Sequence, residues 1–413
     1  MLALATTSRP ATLDAARLPD GAVDGLYVHV PFCLHKCHYC DFYSIVGQSE
    51  ARMDRFVDLL LCEADFWRQH RTVQPATVFI GGGTPTLLPV GHMARLLAGL
   101  RQRFDLSGVG EWTVEANPAT VDGDYCRMLI DYGIGRLSMG AQSFRPAELL
   151  ALERHHRPDD VARSLEIARS AGFSRLNIDL IFAIPGQTLS SWSDNLRRAL
   201  DLGTEHLSCY ALTYEPNTPL GVKRRTGAVP AVEESLELEM LRHTRRVLAE
   251  AGLPAYEISN FARPGCQCLH NLMYWSGGSY LGLGPSAASH IHGWRWRNSP
   301  NLGEWETAVS HKRLPAVDVE SLNAAQRAGE LAMLQLRTTR GITFNEFLNR
   351  TGIDPRRVYQ TLARQLATAG LLTVTDTAMA LTEAGVAVAD AVAAEFLAIA
   401  GPGTGSRDSA FPA

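Results

Sequence analysis

The chain has 413 residues, 46% of them hydrophobic and 20% charged, with a formal net charge of -4. That is a globular composition with room for one large domain and one or two smaller ones. The balance supplies no basic field for nucleic acid, and no uncharged apolar run is long enough to span a membrane. Residues 1–24 are too weakly apolar for a signal peptide, and Asp14 and Asp20 fit a transit peptide poorly. They read as a disordered extension on a protein of the cytoplasm.

From 25 to 255, short β-branched runs alternate with longer amphipathic stretches. Strands are predicted at LYVHVPF (26–32), TVFIGG (77–82), WTVEA (112–116), RLSMGAQ (136–142), RLNIDLIF (175–182) and HLSCYAL (206–212). Helices are predicted over 53–67, 159–173, 194–203 and 233–252, the last three closing on Gly172, Gly203 and Gly252. Such alternation means an α/β fold, a parallel sheet with helical crossovers. An open doubly wound sheet gathers its ligand site at one switch point, whereas a barrel gathers it from the C-terminal ends of many strands. Here the polar and glycine-rich departures are spread: Cys33 after the first strand, Gly81 to Thr86 after the second, then Glu115, Gln142, Asp179 and Tyr210 on the next four. A partial, TIM-like (β/α)6 barrel is expected.

Residues 256–322 are dense in glycine, aromatics and histidine without a clear period, and read as an irregular segment. Residues 323–400 read as helices with one short ribbon, a winged-helix-like domain. Lacking a basic stripe, it suits packing or docking rather than DNA binding. The Gly/Pro/Ser-rich residues 401–413 read as a disordered tail.

The eight cysteines are not distributed as a disulfide set. Cys62, Cys126 and Cys209 are isolated in apolar contexts, while Cys33, Cys37 and Cys40 cluster, as do Cys266 and Cys268. In a reducing compartment clustered thiols point to metal or redox chemistry. The stretch CLHKCHYCDF (33–42) holds three thiols and no fourth. Three thiolates can ligate three irons of a cubane cluster and leave the remaining iron open to a small molecule. His29, His35, His38 and Asp41 nearby keep a closed Cys3His zinc site as an alternative. One strand later, FIGGGTPT (79–86) sets three glycines between a strand and a helix, where a ligand can approach the backbone closely. It lacks the Lys-Ser/Thr ending of a P-loop.

CxxxCxxC with Tyr39 before the last cysteine, followed by GGGTPT, resembles the radical S-adenosylmethionine (SAM) superfamily. The segments YVHVPFC, VEANP, RLSMGAQSF, NIDLIFAIPGQT, YALTYEPNTPL and HNLMYW extend the likeness over nearly the whole chain. They are similar to the branch that contains oxygen-independent coproporphyrinogen III oxidases (HemN type) and haem chaperones (HemW type). The resemblance implies that Cys33, Cys37 and Cys40 hold a [4Fe-4S] cluster whose open iron SAM chelates. It also implies that Tyr27 and Tyr39 lie beside SAM, that Gly82, Gly83 and Thr84 meet its methionyl part, and that Glu115, Gln142, Arg154 and Asp179 line its pocket. Carboxylates accept from ribose hydroxyls, and a guanidinium forks onto a carboxylate. The plainer reading of Arg154, in the run ERHHR, is a solvated surface charge.

Two features divide the branch. The oxidase pattern carries a further cysteine two places after the third, where this chain has Phe42, and the chaperone pattern carries HNxxYW, here His270 to Trp275. An apolar ring cannot replace a thiol. A haem reading gives His270 an axial or contact role, with Cys266, Cys268, His290 and His292 as further candidates. Without the likeness, His270 is a hydrogen-bonded loop histidine and Tyr274 and Trp275 are core aromatics. The chain also departs from the branch in having Ala288 where a histidine often follows GPSA, with His290 two places on. Three readings stand: a haem chaperone binding a [4Fe-4S] cluster, SAM and haem; a SAM-radical coproporphyrinogen III oxidase; and a zinc-stabilised interaction protein. The first implies a haem-acceptor protein and a reductase or other electron donor as partners, with peripheral membrane contact if the acceptor is a membrane enzyme.

Overall fold

The computed structural model describes residues 13–397. Residues 1–12 and the expected tail at 401–413 lie outside them. Six strands, β1 (Gly25–Val30), β2 (Thr77–Gly82), β3 (Glu111–Ala116), β4 (Arg136–Gln142), β5 (Arg175–Phe182) and β6 (His206–Ala211), run parallel and pair in chain order. Their crossovers carry α1 (Glu50–His70), α2 (Val90–Arg103), α3 (Gly123–Asp131), α4 (Pro146–Ala151), α5 (Pro158–Ala171) and α6 (Leu189–Asp201). After β6 come α7 (Pro219–Arg225) and α8 (Glu234–Glu250), the latter packed on α6. This is the expected partial (β/α)6 barrel. Local chemistry sets its boundaries: the Ser49 hydroxyl caps α1 by accepting from Arg52 N at 3.3 Å, and Gly172 ends α5 in the left-handed region at φ 108°.

Successive strand residues face opposite sides of a sheet. One side of these strands is uniformly apolar and buried: Leu26, Val28, Val78, Ile80, Val114, Leu137, Met139, Ile178, Leu180 and Leu207. The other carries Thr113, Glu115, Ser138, Asn177, Asp179, His206 and Ser208. A parallel sheet buried on both faces ordinarily reads as continuous hydrophobic runs. The polar inner face is thus a departure that calls for a ligand or water.

Two expectations are corrected. Residues 13–24 are not a disordered extension: Leu13, Ala15, Leu18 and Val23 are buried in the main core, and the Arg71 guanidinium donates to Pro19 O at 2.8 Å. Their apolar residues are too sparse to register as an element, yet each finds a place on the barrel. Nor is 256–322 irregular. It forms β7 (Asn260–Ala262) antiparallel to β6, helix α9 (Leu269–Trp275), and β8 (Tyr280–Leu283) parallel to β1. Then follow β9 (Ala288–Ile291), β10 (Trp294–Asn298), α10 (Leu302–Ser310) and β11 (Ala316–Ser321). The strands extend one sheet to eleven, in the order β11-β10-β9-β8-β1-β2-β3-β4-β5-β6-β7. Glu63 of α1 helps hold them, accepting from Gly284 N (2.8 Å), Asn298 Nδ2 (2.6 Å) and Trp305 Nε1 (3.0 Å). Burial pushes its carboxyl up to about 7, against the pull of those three donors.

The described residues divide into two compact units, one of 13–274 with 278–321 and one of 275–277 with 322–397. The second contains α11 (Ala324–Leu336), β12 (Ile342–Thr343), α12 (Phe344–Thr351), α13 (Pro355–Val358), α14 (Gln360–Thr368), β13 (Leu372–Val374) and β14 (Ala378–Leu381). Strand β14 lies between β12 and β13, all antiparallel, over a core that includes Phe347, Tyr359 and Phe396. That is a winged-helix layout. Among the described residues, no helix is long and apolar enough to cross a membrane.

Candidate functional site

The loops leaving β1 and β2 build one end of the barrel. Phe32, packed edge-on against Phe56 at 5.1 Å, anchors the first, and Phe32–Cys33 pairs with Ile45–Val46 to close residues 34–44 into a loop. Within it Cys40 N donates to Cys37 O at 3.2 Å. The glycine loop is laced onto this one: Gly83 N donates to Val30 O at 2.8 Å and Thr84 N to Phe32 O at 2.7 Å. A Cβ on Gly83 would lie 2.6 Å from Phe32 O, so only glycine allows the approach. Gly83→Ala is expected to cost about 1–3 kcal/mol by forcing the loops apart. It should also weaken SAM binding at least tenfold, as read by calorimetry. Unchanged affinity and unfolding midpoint would remove the glycine loop from the site.

Below the loops lies a cavity of about 560 Å3 lined by Cys33, Cys37, Cys40, Tyr39, Gly82, Gly83, Thr84, Glu115, Gln142, Arg154 and Asp179. Eleven expected residues from five strands thus converge. Glu115 accepts from Gly82 N at 3.1 Å, and Asp179 accepts from Asn177 Nδ2 at 2.7 Å and from Ser138 Oγ at 3.3 Å. Gln142 sits at φ 64°, off the strand line. Arg154 is no solvated surface charge. Its Nη2 donates to Asn117 Oδ1 at 2.9 Å and to Gly140 O, and its Nη1 lies 3.7 Å from Cys37 Sγ. Its buried Nε has no protein partner, a donor left for a ligand.

Burial pushes the Glu115 carboxyl up to about 8, and the Asp179 charge adds to the rise. Between the ordinary value of 4.5 and about 8 the folded chain holds a proton that the unfolded chain has lost. Stability should therefore fall as pH rises through that window, and Glu115→Gln should flatten the slope. Thermal unfolding at the two ends of the window checks this; equal slopes for both proteins would refute it.

Cys33, Cys37 and Cys40 all line this one cavity, and three thiols there would suit three irons of a cubane cluster, leaving the fourth without a protein ligand. Burial pushes the Cys40 thiol up to about 11 and raises Cys33, with neighbouring thiols adding to both. Bound metal reverses this by deprotonating its thiols outright.

Two expected residues are not brought to the cavity. The Tyr27 hydroxyl is held by His29 Nδ1 at 3.1 Å while its ring stacks on Phe79 at 6.3 Å. His270 lies at the opposite end of the barrel, bonded to Thr77, the first residue of β2, whereas Cys33 follows the last of β1. Six strand residues place those ends about 17 Å apart. The haem contact expected of His270 does not fit its surroundings. It is 1% exposed, with Nδ1 2.9 Å from Thr77 Oγ1, Nε2 3.0 Å from Tyr274 Oη, and its ring stacked on Phe79. Burial lowers its pKa to about 3, keeping it neutral. Cys268 is also buried at this end but lines the floor of the cavity, and His290, on β9, is bonded to Gly278 O at 3.2 Å. Cys266 offers its carbonyl to Arg136 at 2.7 Å, and His292 N donates to Ser279 Oγ at 3.2 Å.

Sequence reasoning missed Asn117, which bridges Thr84 Oγ1 (2.9 Å) to Arg154, and the inward polar ladder of Ser138, Asn177, His206 and Ser208. The signal was available: each lies an even number of residues from Glu115, Gln142, Asp179 or Tyr210 on its own strand or just beyond it.

Comparison with known proteins agrees with this geometry. Residues 27–199 match the radical SAM superfamily and 322–388 the HemN C-terminal domain. The haem chaperone HemW of Bacillus subtilis is 33% identical over 374 residues, covering 90% of this chain and 98% of that one. HemW of Escherichia coli is 40% identical over 272 residues, 64% of this chain and 70% of its own length. The structure of the Escherichia coli coproporphyrinogen III oxidase HemN superposes with a TM-score of 0.81 over 92% of each chain, at 24% identity, a likeness of fold. The 33% identity along 98% of the Bacillus subtilis HemW, together with the radical SAM match over residues 27–199, decides the matter: the chain belongs to the HemW family of the radical SAM superfamily.

Proposed function

We propose that this protein is a haem carrier: it holds a [4Fe-4S] cluster on Cys33, Cys37 and Cys40, binds SAM across the barrel mouth, and delivers haem to an acceptor protein. When bound, such a cluster supplies one iron free of protein ligands and able to pass an electron. The chain's own residues do the positioning. Arg154 offers its guanidinium to a carboxylate, Gly82 and Gly83 let the ligand reach the backbone, and Glu115 and Asp179 accept from hydroxyls. Tyr39 packs among Leu152, Ile181, Leu212 and Leu220 and shields that side from water.

The observation that carries the choice of haem carrier over oxidase is Phe42. It occupies the place where the oxidase pattern has a thiol, and its ring offers neither a proton nor a ligand. The test is one anaerobic, cluster-reconstituted preparation split in two. One half is titrated with hemin and followed by Soret absorption; the other receives coproporphyrinogen III, SAM and a reductant. Haem binding without turnover is expected, and turnover without haem binding would reverse the assignment.

A further inference from the structure

With His270 sealed beneath the barrel, haem iron must take its axial ligand elsewhere, and an imidazole is one such ligand. The structure offers two at the cavity mouth. His35, inside the cysteine loop, and His155, beside Arg154, are both exposed, with ring centroids 4.3 Å apart at 70°. Their nitrogens and the Glu153 carboxylate lie within 4.8 Å of one another, which no other such group does among the described residues. Glu153 is itself held at φ 55°, where non-glycine residues are rare.

Two neighbouring features distinguish a tetrapyrrole from a bare cation. Leu34 and Leu150 are 75% and 73% exposed, large apolar side chains that a macrocycle would cover. Leu34 precedes His35, and Leu150 O accepts from Glu153 N at 3.1 Å, so both belong to the segments that carry the imidazoles. The rim also offers ammonium groups beside the Glu153 carboxylate: Lys36 follows His35, and Lys223 Nζ lies 3.3 Å from His38 Nδ1. Ammonium groups repel a bare divalent ion but pair with propionates. The cavity below sets the polar Ser138, Asn177, Asp179 and Ser208 among apolar Phe79, Ile181 and Leu212, and a porphyrin face laid on those polar groups would desolvate them without offering a hydrogen bond.

We propose that haem docks on this rim, its iron taking the imidazole of His35 or His155 as axial ligand in place of water, with Leu34 and Leu150 under the macrocycle. This rests on the haem-carrier reading, and its test separates the two. Cluster-reconstituted full-length protein is titrated with hemin in four forms: unaltered, His155→Ala, His35→Ala/His155→Ala, and His311→Ala as an exposed histidine on another element. Iron and sulfide content is checked in each, because His35 lies between cluster cysteines. The expected result is at least tenfold weaker hemin binding in the double variant, loss of its imidazole-ligated Soret spectrum, and no change for His311→Ala. Undiminished binding by the double variant overturns the rim site and leaves the haem-carrier reading standing. Failure of the unaltered protein to bind hemin sinks that reading, and the rim site with it. A further arm adds Zn2+: saturation of the histidines by zinc with hemin binding untouched would also overturn the proposal, marking a bare-cation site.

Discussion

Cys37→Ser is expected to abolish iron uptake while leaving the chain folded. Anaerobic reconstitution of the unaltered protein should give about four irons and four sulfides per chain; the variant should retain less than one. Serine is nearly isosteric with cysteine, so the loop loses no packing. Its hydroxyl, however, is a far weaker acid than a thiol and a poor ligand for iron. Cys37 lies 3.7 Å from Arg154 Nη1, so the same substitution should also weaken SAM binding, since the guanidinium loses the neighbour that helps place it. Cys209→Ala serves as the comparison. That cysteine is buried on the outer face of β6, away from the loop, and its loss should leave the iron content unchanged. Full iron in Cys37→Ser would mean that the cluster ligands have been misassigned.

The largest stability effect is expected at Glu111→Ala, a residue remote from the cysteine loop. Glu111 Oε2 accepts from Arg136 Nε at 2.8 Å and Arg175 Nη1 at 3.1 Å, and Oε1 accepts from Leu269 N at 2.7 Å. The Arg136 and Glu111 side chains are 2% and 1% exposed. Removing the carboxylate strands a guanidinium inside the barrel and leaves the first N–H of α9 unpaired, a loss of about 3–5 kcal/mol. Replacing both partners, as Glu111→Leu/Arg136→Met, should recover part of it, because two desolvated charges vanish together. Urea unfolding followed by tryptophan fluorescence measures both. A loss under about 1 kcal/mol for Glu111→Ala would show that water reaches Arg136 and that the barrel base is open.

Much of this was legible in the linear chain. Three of the six strand predictions coincide with the observed bounds and the others differ by one or two residues, because β-branched runs ending in glycine or polar residues carry their own boundaries. The cysteine spacing and the glycine loop were equally readable, since each is a local device: a turn for three thiols, and a backbone close enough to touch a ligand. Even the polar inner face is written in the sequence as alternate residues, although a single Asn or Ser on a strand means little until its neighbours share its parity.

What only the tertiary structure decided lies in longer-range pairings. Arg154 reads as a charged run on a surface until the β4–α5 connection folds it against Cys37 and Asn117, where burial and hydrogen bonds outweigh its preference for water. Residues 13–24 and 256–322 lack periodicity of their own and acquire order from the barrel wall they cover. His270 is the sharpest case. Its motif suggests a ligand, yet the pairing of β8 beside β1 carries the segment to the far end of the strands and closes the imidazole between Thr77 and Tyr274. The residue types present are a property of the sequence; which of them share a cavity depends on strand order and on the direction in which each chain segment crosses the barrel.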